Sequence, residues 1–154
     1  MAATSIPMPA QNGISRTLHR VQTEPAYAAF AILRVGFVFL PVVFGLDKFA
    51  NVLTNWEGYL APWVAGLLPF NGHTAMLIVG AVEIAAGILI AIKPRYAAYV
   101  VAFWLAGIII NLLTYPGFYD IALRDFGLLV AALALAQLAR AFDPRRDARS
   151  TAQH

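Results

Sequence analysis

The chain has 154 residues, of which 60% are hydrophobic and 12% charged, against about 45–50% and about 25% in an average soluble domain. That balance, with a mean hydropathy of +0.69, points to lipid rather than water as the solvent of the folded chain. The absence of cysteine excludes disulfides, thiolate-held iron–sulfur clusters and a thiol nucleophile. The net charge of +3 does not indicate nucleic acid, because the basic residues sit between and beyond apolar runs, as in loops of a membrane protein.

Residues 1–25 are polar and contain Pro7, Pro9, Gly13 and Pro25. They read as a flexible cytoplasmic tail with a short helix around Ile14–Val21. No apolar run follows the first residues closely enough for a secretory signal.

Four apolar runs follow, at roughly Ala26–Leu46, His73–Ile92, Tyr96–Tyr115 and Ile121–Ala141. Each is about 20 residues long, the length a helix needs to cross about 30 Å of hydrocarbon at about 1.5 Å per residue. A helix meets all its backbone hydrogen bonds within the segment, which lipid demands. Pro41 falls inside the first run and bends it rather than ending it. Pro94 marks a tight turn between the second and third runs, and Pro116-Gly117 one between the third and fourth, so consecutive helices there run antiparallel. The expected fold is therefore all-α: an integral membrane four-helix bundle over 26–142, with a cytoplasmic C-terminal tail at 143–154.

The stretch 51–72, NVLTNWEGYLAPWVAGLLPFNG, is apolar in pieces too short to span and is broken by Pro62 and Pro69. Its Trp56, Tyr59, Trp63 and Phe70 are of the types that settle at a membrane–water boundary. It reads as an interfacial or re-entrant segment between the first two membrane helices. Trp56, Tyr59 and Trp63 are candidate contacts for a protein partner.

Orientation follows from the basic residues. Arg16, Arg20, Lys93, Arg95, Arg140, Arg145, Arg146 and Arg149 fall on one side and only Lys48 on the other, which predicts both termini in the cytoplasm.

Charges within spans cost about 2.5–3.5 kcal/mol each on insertion scales and face the bundle interior. Counted from the helix ends, Arg34 and Glu83 both lie roughly 12–13 Å deep, which predicts an Arg34–Glu83 ion pair. Asp47, Lys48, Asn111, Arg124 and Asp125 gather toward the other side and form a candidate ligand-binding layer. Arg34, Pro41 and Lys48, spaced by seven, share one helix face. The structural alternative for both groups is that the charges only specify helix packing.

His19, His73 and His154 are too scattered to ligate haem, and the spans lack ligands for a non-haem metal. No phosphate loop or nucleophile elbow occurs. No metal and no covalent cofactor is expected. Redox chemistry here would use a mobile, non-covalent molecule such as a quinone, or a partner's cofactor.

The stretch LRVGFVFLPVVFGLDKFANVL, with Arg34, Gly45, Asp47 and Lys48, resembles the opening of the DoxX-like membrane proteins. VGAVEIAAGILIAI resembles their second helix, with Gly80, Glu83 and Gly87, and YDIALRDFGLLVAALAL resembles the fourth helix of one branch, with Arg124 and Asp125. The likeness covers about residues 27–140. It implies a four-helix inner-membrane protein. Some relatives, of the DoxD type, are subunits of thiosulfate:quinone oxidoreductase, and others are linked to oxidative-stress or thiol-redox complexes. The resemblance thus implies a subunit of a quinone-linked redox or oxidative-stress system, with a protein partner or a second copy of the chain. A non-enzymatic assembly or anchoring subunit is the other reading, and a small transporter or channel the third.

Overall fold

The computed structural model describes residues 13–142. The parts of both predicted tails beyond these bounds, with Arg145, Arg146 and Arg149, lie outside the described residues. A short helix α1 (Gly13–Thr23) is separated by one extended residue, Glu24, from α2 (Pro25–Ala50). A single 3-10 turn (Trp56–Tyr59) and a six-residue helix α3 (Pro62–Leu67) follow. Then come α4 (Gly72–Ile92), α5 (Pro94–Leu113) and α6 (Tyr119–Ala141). The helices α2, α4, α5 and α6 have 26, 21, 20 and 23 residues and are apolar enough to cross a membrane.

Local chemistry sets the boundaries. Pro25, Pro62 and Pro94 each begin a helix, where the missing N–H is one that no helix would satisfy. Pro41 does not end α2. Asn51 ends it, in the left-handed conformation at φ 51°, with its N–H donating to the Asp47 carbonyl at 2.6 Å. Asn tolerates that conformation better than most side chains. The Asn71 side chain caps α4 by accepting from the Thr74 N–H at 2.8 Å. Lys93 alone joins α4 to α5, so these two must run antiparallel.

The bundle is built from two close antiparallel pairs, α2 with α4 and α5 with α6, which meet each other more loosely. In the first pair, backbone meets backbone. A Cβ added at Gly45 would stand 2.6 Å from the Gly80 carbonyl oxygen, and one at Gly80 would stand 2.7 Å from that of Gly45. Gly87 is closed in the same way by Val38 and Val42. Small residues let membrane helices approach like this. In the second pair Ala97, Ala98 and Ala102 pack with Ala132, Ala136 and Ala139, all buried.

At the end where α1 enters and α6 leaves, Tyr27, Phe30 and Phe142 stack edge to face or tilted, at 5.3–6.0 Å between centroids. The Arg20 guanidinium lies 4.4 Å above the Tyr27 ring. The outer faces are apolar: Phe103 is 83% exposed, and Ile32 and Leu123 are each 71% exposed. Such a surface suits hydrocarbon and would drive association in water. The chain is a multi-pass membrane protein.

The register of α2 against α4 corrects one expectation. Arg34 does not pair with Glu83; its guanidinium donates to the carbonyl of Ala91, one of the carbonyls that a helix end leaves without an internal partner. Depth counting from the run ends assumed that both helices begin level. Gly45 opposite Gly80 sets them otherwise. Arg34 lies eleven residues before Gly45 and Ala91 eleven after Gly80, so these two meet. Glu83 is eight residues further along, about 12 Å away.

Candidate functional site: a polar-ended cavity between the helix pairs

Where the two helix pairs diverge, they leave a cavity of about 610 Å³. Its walls are apolar and aromatic, from Phe37 and Phe44 on α2, Met76 and Val79 on α4, Leu105 on α5 and Leu128 on α6. Exposed residues reach its rim, among them Leu40, Phe44 and Ile110. These positions lie within spans, so this part of the rim faces hydrocarbon.

The segment between α2 and α4 closes the cavity at one end, and three side chains hold it there. The carboxylate of Asp47, 7% exposed, accepts from the Trp56 indole N–H at 2.7 Å and from the backbone N–H groups of Val52 and Leu53. Asn111 accepts from the Ala61 N–H at 3.0 Å and donates to the Tyr59 carbonyl at 2.8 Å. The Trp63 indole donates to the Thr114 hydroxyl at 2.7 Å. The interfacial segment is thus a cap, bound to the last turns of α2 and α5. Trp56, Tyr59 and Trp63 all line the cavity; of the three, only Trp63 is also half-exposed.

Beneath the cap lies a charged group. Lys48, 5% exposed, places Nζ 2.6 Å from Oε2 of Glu83 and 3.8 Å from the centre of the Trp56 ring. Ammonium, carboxylate and aromatic face satisfy one another in a low-dielectric setting. Asp125 lines the same cavity from α6 and feels the Lys48 charge, and Glu83 and Asp125 feel each other. Of the described residues Glu83 alone is ion-paired with Lys48, and Asp125 lines the same cavity.

Of the layer expected from the sequence, the structure brings together Lys48, Asn111 and Asp125 in the cavity. It adds Glu83, which the expected pairing had assigned elsewhere. Asp47 is turned to the cap. Arg124 reaches the cavity rim, but its side chain is 76% exposed and lies 3.6 Å from Asp120, one turn earlier on α6. Pro41 lies on the same wall as Lys48, while Arg34, on their heptad, lies beyond the cavity.

One residue was missed. Trp104 lines the cavity, and its indole N–H is the single buried side-chain N or O atom without a hydrogen-bond partner among the described residues. Its signal was available: Trp104 lies ten residues into α5, about 15 Å from either end, whereas tryptophan in spans gathers at the interfaces. Among the described residues no cluster of His, Cys, Asp and Glu is arranged to hold a metal. Comparison with family models, curated proteins and solved structures finds no match.

Proposed function

We propose that this chain is a membrane subunit of a quinone-linked redox or oxidative-stress system, of the DoxX-like type, and that its cavity binds the quinone. The observation that carries this reading is the cavity's composition: an apolar, aromatic chamber that reaches the lipid-facing surface, with Lys48, Glu83 and Asp125 among its lining. Ligand sites are mostly apolar with a few convergent polar groups. A flat, lipid-soluble ring with polar oxygens matches both parts. Lys48 would donate to its oxygens, and the Glu83 and Asp125 carboxyl groups are the ones able to hold or pass protons. A quinone, when bound, supplies two-electron, two-proton redox chemistry; this chain's own part is to hold and orient it. The electrons come from a protein partner.

On this proposal the chain sits in a bacterial inner membrane with both termini in the cytoplasm, as its basic residues favour. The cap then faces the outside. The assembly reading draws less support, because Trp56 and Tyr59 face the cavity and only Trp63 is left half-exposed for a partner.

Native mass spectrometry of the protein extracted in its own lipids tests the proposal. A quinone mass is expected on the wild-type chain and is expected to be absent from Leu128→Trp, which fills the chamber. A ligand-free wild-type chain held to another protein would replace this reading with the assembly one.

A further inference from the structure

The end of the bundle opposite the cap carries an exposed apolar stripe. Ile14, Leu18 and Val21, spaced by four and three, share one face of α1. Ile14 is 75% and Leu18 58% exposed. The exposed polar residues Ser15, His19 and Thr23 lie round the rest of the helix.

This stripe stays at the membrane boundary. Glu24 alone separates α1 from α2, the first span, and one residue reaches at most about 3.6 Å. The Arg20 guanidinium lies 4.4 Å from the centre of the Tyr27 ring on α2 and 5.8 Å from that of Phe142, just after α6. It holds α1 against the end of the bundle. Eleven residues are too few for a helix stable by itself in water, so a cover on the stripe would also stabilise the helix.

The charge at this end identifies the cover. Consecutive spans run antiparallel, so the start of α2, the α4–α5 turn and the end of α6 share one side of the membrane. Arg16, Arg20, Lys93, Arg95 and Arg140 lie on that side, and among the described residues only Glu24 there is acidic. A bilayer with anionic lipid supplies both complements where α2 enters it: hydrocarbon for the stripe and phosphate for the cations. We propose that α1 is an interfacial helix, lying in the headgroup region with Ile14, Leu18 and Val21 turned to the acyl chains, and that anionic lipid holds it there. This placement is independent of what the cavity binds.

The test uses the full-length chain in lipid nanodiscs, of phosphatidylcholine alone or mixed with phosphatidylglycerol. The chain lacks cysteine, so a nitroxide on Leu18→Cys or on His19→Cys is the sole spin label. Collisions with oxygen, which concentrates in lipid, are compared with collisions with the neutral chelate Ni-EDDA, which stays in water. In the mixed discs oxygen is expected to dominate at Leu18 and the chelate at His19, roughly 130° round the helix from the centre of the stripe. Omitting phosphatidylglycerol is expected to lower the docked-to-undocked ratio of α1 by about fivefold for each cation that meets a headgroup. The chelate then gains on oxygen at Leu18. With the label on Ile14→Cys, adding Leu18→Glu is expected to abolish the oxygen preference; Leu18 is exposed, so the bundle keeps its fold. Dominance of the chelate at both positions in the mixed discs would overturn the proposal and leave the stripe to a soluble partner. Dipolar broadening between Leu18 labels, in discs holding two copies, would overturn it in favour of a second chain. An oxygen preference at Leu18 that ignores phosphatidylglycerol would overturn the role of anionic lipid.

Discussion

Nζ of Lys48 stands 2.6 Å from Oε2 of Glu83, joining the last turn of α2 to the middle of α4, with the lysine 5% and the glutamate 15% exposed. Lysine reaches back along its helix, since side chains lean toward the N-terminus. It therefore arrives at the level of Glu83 although its Cβ packs on Gly80. The pair locks the α2–α4 wall of the cavity.

Removing one member of this pair strands the other in an apolar setting. Lys48→Met is expected to lower stability by about 3–5 kcal/mol. The double variant Lys48→Met/Glu83→Leu should recover most of that loss, because no charge is then left unpaired. Thermal unfolding of the purified variants in one detergent gives the comparison. A double variant no more stable than Lys48→Met would show that the pair adds net stability rather than only avoiding a penalty.

The two classes of glycine should behave oppositely. At Gly45 a new side chain meets the Gly80 carbonyl and Ile84, so Gly45→Val should cost at least about 2 kcal/mol. Gly36, on the same helix, has nothing within 4 Å. Gly36→Ala should be neutral or stabilise by up to about 1 kcal/mol through reduced backbone freedom in the unfolded chain. Similar effects at both positions would contradict the close contact of α2 with α4.

Asn111 holds the cap through two backbone groups, Ala61 N–H and Tyr59 C=O. Asn111→Ala leaves both unmet, at about 1–3 kcal/mol each. Because the lost bonds are local to the cap, faster protease cleavage within residues 51–71 is expected while the four spans stay intact. Cleavage at the wild-type rate would mean that the Asp47 and Trp63 attachments suffice.

Four spans put α1 and the cap on opposite sides of the membrane, and the chain has no cysteine of its own. A single Ser15→Cys or Gly58→Cys therefore carries the only thiol, and Gly58 has open space around its backbone. With the proposed orientation, a membrane-impermeant maleimide added to intact cells labels Gly58→Cys and reaches Ser15→Cys only after permeabilisation. The reverse pattern would invert the topology.

The four spans, their approximate ends and the Pro94 turn were legible in the amino-acid sequence, because they depend on local physics. A run of some twenty apolar residues must satisfy its backbone within itself, so each forms a helix whatever its neighbours do. The short helix at Gly13–Thr23 and the separate character of the segment 51–72 followed from composition in the same way. The gathering of Lys48, Asn111 and Asp125 was legible too, since membrane depth can be counted along a helix. What only the tertiary structure decided was the relation between helices. Gly45 against Gly80 slides α2 along α4, and that contact between residues far apart in sequence gives Glu83 to Lys48 and Arg34 to Ala91. The inward turn of Trp56 and Tyr59 and the unpartnered indole of Trp104 depend likewise on which helices diverge and where. Close packing between helices is set by shape across the bundle, and spacing along a single chain carries no record of it.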